Sequence, residues 1–247
     1  MARSTIPSTW RLEDALVSHP GLALVPFAGS ELQMVGALRV NHSAPPSDLH
    51  IEASYEIDIR VPMAFPRELP RVYEIGGKIP QDFHRLPDGA LCLGSPAGQR
   101  IQLGKTPSIG QFIDRVVIPY LYGHAHMMRV GRMPFDELAH GSVGLEDDAR
   151  QIFGLPHSMS VSSLLGFAGM RRRVANKHRC PCGSGRRLGR CHNTLVNCAR
   201  DVLGRAACRE QANLIDKIRA READARGNAR SLERARRPWL SQRPRVQ

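Results

Sequence analysis

The sequence predicts an α+β protein whose two ends differ in character. Apolar, β-branched segments separated by Pro and Gly turn signals occupy the first 140 residues, with helical patterns on either side. A cysteine cluster followed by a basic helical pattern occupies the last third. The 247 residues leave room for one or two domains, and the 42% hydrophobic content excludes a wholly disordered chain.

A short helix is expected first, over Ser8 to Val17. Ser8 and Thr9 supply hydroxyl caps, Glu13 and Asp14 favour the first turns, and His19-Pro20-Gly21 is a stop signal. Three antiparallel strands should follow, at Leu32–Val40, Ile51–Val61 and Arg71–Ile75. Asn41 to Pro46 predicts the first turn, and a segment with three prolines separates the second and third strands.

A cysteine follows the next strong turn signal. Pro87-Asp88-Gly89 predicts a tight turn, which places Cys92 just after it in a loop. Residues 98–106 approach the phosphate-binding loop, but five residues separate the glycines where that motif has four, and Arg100 to Leu103 is expected to be extended. Thr106 and Pro107 then open a helix that runs to Ile118.

This order of elements resembles the ubiquitin-conjugating enzyme (UBC) fold in its prokaryotic form, over roughly residues 8–130. The family's proline-rich crossover is matched by Ile59 to Val72, and its active-site signature by His84 and Gly89-Ala90-Leu91-Cys92-Leu93. The resemblance implies an N-terminal helix, an antiparallel β-meander, an active-site loop and C-terminal helices.

The resemblance also implies a catalytic role for Cys92, which would carry a ubiquitin-like modifier as a thioester and pass it to a target amine, with His84 in support. Its implied partners are the modifier, an activating enzyme and a protein substrate, in a bacterial conjugation or antiphage-defence system. The family's His-Pro-Asn is replaced by His84-Arg85-Leu86, so backbone N–H groups flanking Cys92 are candidates for stabilising the oxyanion. Two alternatives stay open: Cys92 as a small buried hydrophobe, and a relative that binds modifiers without transferring them.

The string from His178 to His192 has the spacing of a structural zinc site. It is similar to the SEC-C motif, with Cys180, Cys182, Cys191 and His192 as the four ligands and Gly183 and Gly185 allowing the chain to turn. A closed set of four leaves no open position, which predicts a structural role for Zn²⁺. His178 is a possible substitute ligand.

Basic charge is concentrated at the C-terminal end. Residues 171–247 hold 21 Lys+Arg and 6 Asp+Glu, whereas residues 1–170 carry a net charge of −3. We therefore expect a UBC-like domain over 1–140, a linker over 141–170, the zinc motif over 171–193 and a basic helical tail over 194–247. The tail could dock an acidic protein or a nucleic acid. The rival function is a non-enzymatic zinc-containing adaptor that binds nucleic acid or protein through this region.

The remaining signals favour structural roles. No apolar run reaches the ~20 residues of a membrane-spanning helix, and we expect a cytoplasmic protein without a membrane partner. Cys198 and Cys208 lie in a helical pattern and are expected to pack on helix faces. His124 and His126 are expected to be a helix-end or surface pair.

Overall fold

The computed structural model describes residues 6–26, 31–43, 49–135 and 141–240, with side chains described as far as residue 228. It divides into two compact units, Met1–Leu138 and Ala139–Gln247, here called unit 1 and unit 2. The turn expected at residues 44–46 and the last seven residues of the expected tail lie outside the described residues.

Unit 1 is built on a four-stranded antiparallel sheet in the order β1-β2-β3-β4. The strands are β1 (Leu22–Leu24), β2 (Glu31–Ser43), β3 (His50–Pro62) and β4 (Arg71–Glu74). The antiparallel sheet is confirmed, and alternate side chains of β2 and β3 form its buried face because side chains along a strand point to opposite sides. These are Leu32, Met34, Leu38, Val40, Ile51, Tyr55, Ile57, Ile59 and Val61.

The short strand β1 was not predicted, because its pairing depends on a contact between two glycines. Gly21 precedes β1 and Gly36 lies in β2, with Leu22 paired to Gly36. A Cβ atom on Gly36 would come within 2.1 Å of the Gly21 carbonyl oxygen. Only glycine at both positions lets β1 approach the sheet edge.

The helices of unit 1 cover the buried face of the sheet. A 3₁₀ turn (Ser8–Trp10) and α1 (Leu12–Ser18) come first, and buried Trp10 meets Phe65 edge to face at 5.7 Å. The Phe65–Pro66 peptide bond is cis. The extended conformation expected for residues 100–103 is wrong, because these residues belong to helix α2 (Pro96–Leu103). Ser95 caps this helix by accepting a hydrogen bond from the Gly98 N–H, and Pro96 occupies its first turn.

The last helical segment of unit 1 extends twelve residues beyond the predicted end at Ile118. It consists of α3 (Ile109–Phe112), a π-helical turn (Ile113–Val117) and α4 (Ile118–Val130). Pro119 has no N–H to donate within this continuous helix. The π turn immediately before it widens the helix by one residue, which is a common way to accommodate such a break.

Unit 2 begins with two helices where a linker was expected. They are α5 (Gly141–Phe153) and α6 (Val161–Gly169), and most of α6 is buried. Some of the Gly and Ser residues that suggested a linker instead lie buried in unit 2, among them Ser142, Ser162 and Gly169. A Cβ atom on Gly169 would lie 2.3 Å from the Arg209 Cγ atom, so the glycine is what allows the close packing.

Unit 2 continues with α7 (Arg172–Ala175), a 3₁₀ turn (Leu188–Arg190), α8 (Asn193–Leu203) and α9 (Arg205–Leu240). The first half of α9 is not a solvated tail, because Cys208, Ala212 and Ile215 are buried in the core of unit 2. Cys208 packs as expected, whereas Cys198 is exposed.

Three arginines of α8 and α9 stabilise the C-terminal end of α6. Arg200 donates to the carbonyls of Phe167 and Ala168 at 3.0 and 2.9 Å, and Arg205 and Arg209 donate to the Gly169 carbonyl. Positive charge at a helix C-terminus satisfies its last carbonyls and favours its dipole. Part of the basic charge therefore serves the packing of unit 2.

No helix among the described residues is both long and apolar enough to cross a membrane.

Candidate functional site

Cys92 lies at the end of a tight hairpin between β4 and α2. The Cys92 N–H donates to the His84 carbonyl at 2.7 Å, and Arg85 pairs with Leu91 in an antiparallel bridge. Gly89, in the turn, adopts a φ of 83°, a left-handed conformation that glycine accepts without strain. The hairpin brings together the two residues predicted for the active site, and Cys92 is half-buried.

The contact that joins His84 to Cys92 is made by the main chain. His84 has a φ of 39°, and its carbonyl accepts hydrogen bonds from the Cys92 N–H and from the Tyr120 hydroxyl at 3.1 Å. The same hydroxyl also contacts the Phe83 carbonyl at 3.2 Å. Burial raises the pKa of Tyr120 well above its ordinary value, and the charge of Arg85 opposes this shift. Tyr120 therefore stays neutral and keeps its proton for donation to this loop.

The oxyanion donors predicted beside Cys92 are only partly available. The Cys92 N–H is committed to His84, and the Leu91 N–H donates to the Val72 carbonyl at 2.8 Å. Among the described residues, no acceptor takes the N–H of Leu93 or Gly94. The candidate donors are thus on the C-terminal side of Cys92, where Gly94 has a φ of 89°.

A buried arginine, which the sequence analysis did not single out, holds the base of the hairpin. The Arg85 guanidinium donates to the carbonyls of Ile79, Gly89 and Pro80 at 2.7, 3.0 and 3.3 Å. It also pairs with Glu74, whose carboxylate accepts the N–H groups of Lys78 and Ile79 at 3.1 and 3.2 Å. One guanidinium thus connects β4 to both sides of the loop that carries Cys92.

His124 and His126 are buried and do not form the surface pair that was expected. The His124 Nδ1 atom lies 2.8 Å from the Tyr55 hydroxyl, and its ring meets the edge of Phe83 at 4.8 Å. Its Nε2 atom is buried and has no hydrogen-bond partner among the described residues. Burial lowers the pKa of His124, so the imidazole is neutral. The helix places it beneath the Cys92 loop, a position that its local sequence does not reveal.

Unit 2 brings the four predicted metal ligands together. The ligand atoms of Cys180, Cys182, Cys191 and His192 all lie within 4.8 Å of one another, and this arrangement could hold a metal ion. The Cys182 and Cys191 sulfurs are 3.6 Å apart, and the His192 Nδ1 atom is 3.3 Å from the Cys180 sulfur and 3.2 Å from the Cys191 sulfur. A tetrahedral ion with metal–sulfur distances of ~2.3 Å separates its sulfurs by about 3.8 Å, so the spacing fits such a site.

The chain turns tightly around this cluster. Gly183 and Gly185 have φ values of 79° and 73°, which allow the second ligand pair to return to the first. Cys191 and His192 directly precede α8, whose N-terminal dipole favours negatively charged ligands. His178, the possible substitute ligand, lies outside the group, with its exposed ring 5.3 Å from that of Phe167.

The thiols differ in acidity because their surroundings differ. Hydrogen bonds from Ser184 lower the pKa of Cys182 to about 6. Burial raises the pKa of Cys180 to about 11, an effect opposed by the backbone N–H groups of Cys182 and His192. A bound divalent cation supplies the positive charge that stabilises thiolates at every cysteine of the cluster.

No protein-family model, curated protein or solved structure matches this chain.

Proposed function

We propose that the chain is a ubiquitin-conjugating-like aminoacyltransferase that carries a ubiquitin-like modifier as a thioester on Cys92. The observation that carries the proposal is the hairpin that joins Cys92 to His84 through a 2.7 Å backbone hydrogen bond. This hairpin follows an antiparallel meander and a proline-rich crossover and precedes the helices α2 to α4. The order resembles that of the UBC fold, in which a cysteine in the corresponding loop forms the thioester.

The proposed reaction has two acyl-transfer steps. The Cys92 thiolate attacks the modifier's C-terminal thioester on an activating enzyme, and the cysteine of that enzyme leaves as a thiolate. A lysine amine of the protein substrate then attacks the Cys92 thioester. An amide forms, the Cys92 thiolate leaves and the amine loses a proton. Both steps pass through a tetrahedral oxyanion, for which the N–H groups of Leu93 and Gly94 are the candidate donors.

Tyr120 and Arg85 position the loop for this chemistry without contacting the reacting atoms. Tyr120 fixes the His84 carbonyl, which in turn fixes the Cys92 backbone. Arg85 fixes the turn through the Gly89 carbonyl. The half-buried Cys92 would then present its sulfur in one orientation, which is what a nucleophile needs for a near-attack geometry.

The test is a thioester assay with purified protein, an activating enzyme, ATP and a candidate modifier, analysed on a non-reducing gel. We expect an adduct that thiol treatment removes and that Cys92→Ala abolishes. Cys92→Ser should give an oxyester that resists thiol and yields to hydroxide. Cys198→Ala is the matched control, because Cys198 is an exposed thiol outside both sites.

Two outcomes would overturn the proposal. One is an adduct that survives in Cys92→Ala, and the other is a protein that forms no adduct while its Cys92 resists alkylating probes. The second outcome would favour the rival function, an adaptor in which unit 1 is a non-catalytic scaffold.

We also propose that the Cys/His cluster of unit 2 binds structural zinc in a SEC-C-like motif. Three thiolates and one imidazole are a ligand set typical of tetrahedral zinc. The four protein ligands fill a tetrahedral shell and leave no position for water or substrate, so zinc there would hold the turn and the start of α8. The proposed role of the zinc motif is to shape the surface of unit 2 that selects or positions a partner.

A further inference from the structure

The segment that surrounds the Cys/His cluster exposes many cationic side chains and no anionic one. No Asp or Glu occurs anywhere from residue 149 to residue 200. Among the described residues, no carboxylate pairs with any of the eight cationic side chains between residues 171 and 190, all of which are exposed. We call these eight the basic knuckle: Arg171, Arg172, Arg173, Lys177, Arg179, Arg186, Arg187 and Arg190.

Other arginines of unit 2 behave differently. Arg200, Arg205 and Arg209 donate to carbonyls at the end of α6, while Arg150 and Arg219 both pair with Glu146. These arginines stabilise the fold of unit 2 through hydrogen bonds and ion pairs. The side chains of the basic knuckle take part in none of these contacts.

Two members of the basic knuckle are held directly opposite each other. Arg179 and Arg187 form an antiparallel bridge, flanked by hydrogen bonds of 2.8 Å from the Cys180 N–H to the Arg186 carbonyl and from the Leu188 N–H to the His178 carbonyl. Like charges directly opposite on paired strands destabilise the pairing. The turn around the Cys/His cluster imposes this repulsion between Arg179 and Arg187. A bound polyanion would relieve it.

A further backbone hydrogen bond holds together the segment that carries the basic knuckle. The Gly189 N–H donates to the Asn176 carbonyl at 3.2 Å, which ties the segment that contains Lys177 to the 3₁₀ turn that ends in Arg190. A Cβ atom on Gly189 would approach Asn176 Cβ to 3.0 Å, so this contact is close. The cations are thus displayed on a fixed frame.

We propose that the basic knuckle binds the phosphate backbone of nucleic acid. Between residues 171 and 192 the only large hydrophobic side chain that is exposed is Val174. A protein partner would need an apolar, well-packed centre, which this surface lacks, whereas protein–nucleic acid interfaces are polar and strongly positive. Duplex DNA presents one negative charge per ~1.7 Å of its axis, a density that suits eight cations between residues 171 and 190. This inference is independent of thioester transfer at Cys92.

The test uses the zinc-loaded chain of 247 residues and a fluorescein-labelled 20-base-pair duplex of arbitrary sequence. Binding is measured by fluorescence anisotropy between 50 and 200 mM salt. We expect the logarithm of the binding constant to fall linearly with the logarithm of salt concentration. Arg179→Gln/Arg187→Gln should weaken binding about tenfold or more and reduce the slope by about 1.8, since each lost phosphate contact contributes ~0.9. Lys217→Gln/Arg221→Gln removes the same charge from an exposed part of α9 and should change affinity less than about threefold.

The stability of the double variant separates lost binding from lost folding. Removing two opposed like charges should leave Tm unchanged or raise it, with zinc content unaltered. If the variant loses zinc, Arg171→Gln/Arg173→Gln, which lies outside the turn, provides the same test and should show the same loss of affinity.

Three results would overturn the proposal: no salt-dependent binding of the duplex, equal losses in the knuckle and α9 variants, or displacement of the duplex by poly-glutamate as effectively as by unlabelled duplex at equal charge concentration. The last result would assign the surface to acidic protein.

Discussion

Arg85 and Glu74 form a buried ion pair beneath the Cys92 hairpin, with 3.2 Å between Nη2 and Oε2 and side-chain exposures of 5% and 0%. Both charged groups also have hydrogen-bond partners in the backbone. Glu74 accepts two backbone N–H groups, and Arg85 donates to several carbonyls. A buried pair of this kind fixes geometry more than it adds stability. Its consequence here is a loop with one defined conformation.

Arg85→Met should therefore destabilise unit 1 by about 3–5 kcal/mol, because it leaves the Glu74 carboxylate buried without a counter-charge. It should also speed alkylation of Cys92 by loosening the hairpin. Urea unfolding and iodoacetamide kinetics measure the two effects. Arg71→Met is the matched control, since Arg71 pairs with Asp88 at the surface, with exposures of 48% and 43%. Such a pair contributes about 1 kcal/mol or less.

An Arg85→Met variant that matches Arg71→Met in both stability and alkylation rate would contradict this role. The Glu74→Gln variant gives an independent check, because the neutral amide keeps the size of the side chain. It should cost about as much as Arg85→Met if charge, and not shape, dominates the effect, because it leaves the Arg85 guanidinium buried without a counter-charge.

The His84 side chain is predicted to matter less than its carbonyl. Asn tolerates left-handed backbone conformations, so His84→Asn should preserve the φ of 39° and the hydrogen bonds to Cys92 and Tyr120 while removing the imidazole. We expect the variant to form the Cys92 thioester at a rate within about threefold of wild type, because proton transfer by an imidazole would contribute ~10²-fold or more.

A pH profile of thioester discharge distinguishes the two roles of His84. A rate loss of ~10²-fold in His84→Asn, together with a change in the pH dependence of discharge relative to wild type, would assign proton transfer to the imidazole. Tyr120→Phe is the complementary variant. It removes the hydroxyl that fixes the His84 carbonyl, and we expect it to slow transfer even though the imidazole remains.

The cysteine cluster should bind one zinc per chain and depend on each of its thiols. Cys182→Ser should lower zinc content and Tm, because a structural site couples metal binding to folding. Cys198→Ser, which changes an exposed thiol outside the cluster, should alter neither. Elemental analysis and calorimetry provide the measurements. Full zinc content in Cys182→Ser would show that the four-ligand set is incorrect.

The sequence predicted those features whose signals are local. Alternating apolar residues such as Met34 and Ile59 indicated the strands, and the spacing from Cys180 to His192 indicated the Cys/His cluster. The Ser95-Pro96 start of α2 is also a local signal, and it places residues 100–103 in a helix although an extended segment was expected there.

Features that depend on distant partners could not be predicted in the same way. The contact of Tyr120 with the His84 carbonyl spans 36 positions. The small residues of α6 suggested a linker, because the sequence near them does not show that Gly169 packs against α9. His124 appeared to be a surface residue for the same reason, because its burial depends on Tyr55 of β3 and Phe83 of the Cys92 loop.

The buried His124 should make unit 1 less stable in mild acid. Burial lowers its pKa in the folded state, so the unfolded chain binds the proton more tightly. The contribution of His124 to the free energy of unfolding of unit 1 should be fully present above pH ~6.5. It should fall as the pH drops towards the pKa of the folded state, by at most ~1.4 kcal/mol per pH unit. His124→Phe should flatten that part of the profile, even if loss of the Tyr55 hydrogen bond lowers stability at every pH.

The measurement is urea unfolding between pH 5 and pH 8, followed by the fluorescence of buried Trp10 in a Trp239→Phe background. Trp10 reports on unit 1 because it packs against Phe65. His157→Gln is the control, since His157 is an exposed histidine of unit 2 and should leave the profile unchanged. A wild-type profile that stays flat, or one that His124→Phe does not alter, would mean that the imidazole accepts a proton without disturbing the fold beneath Cys92.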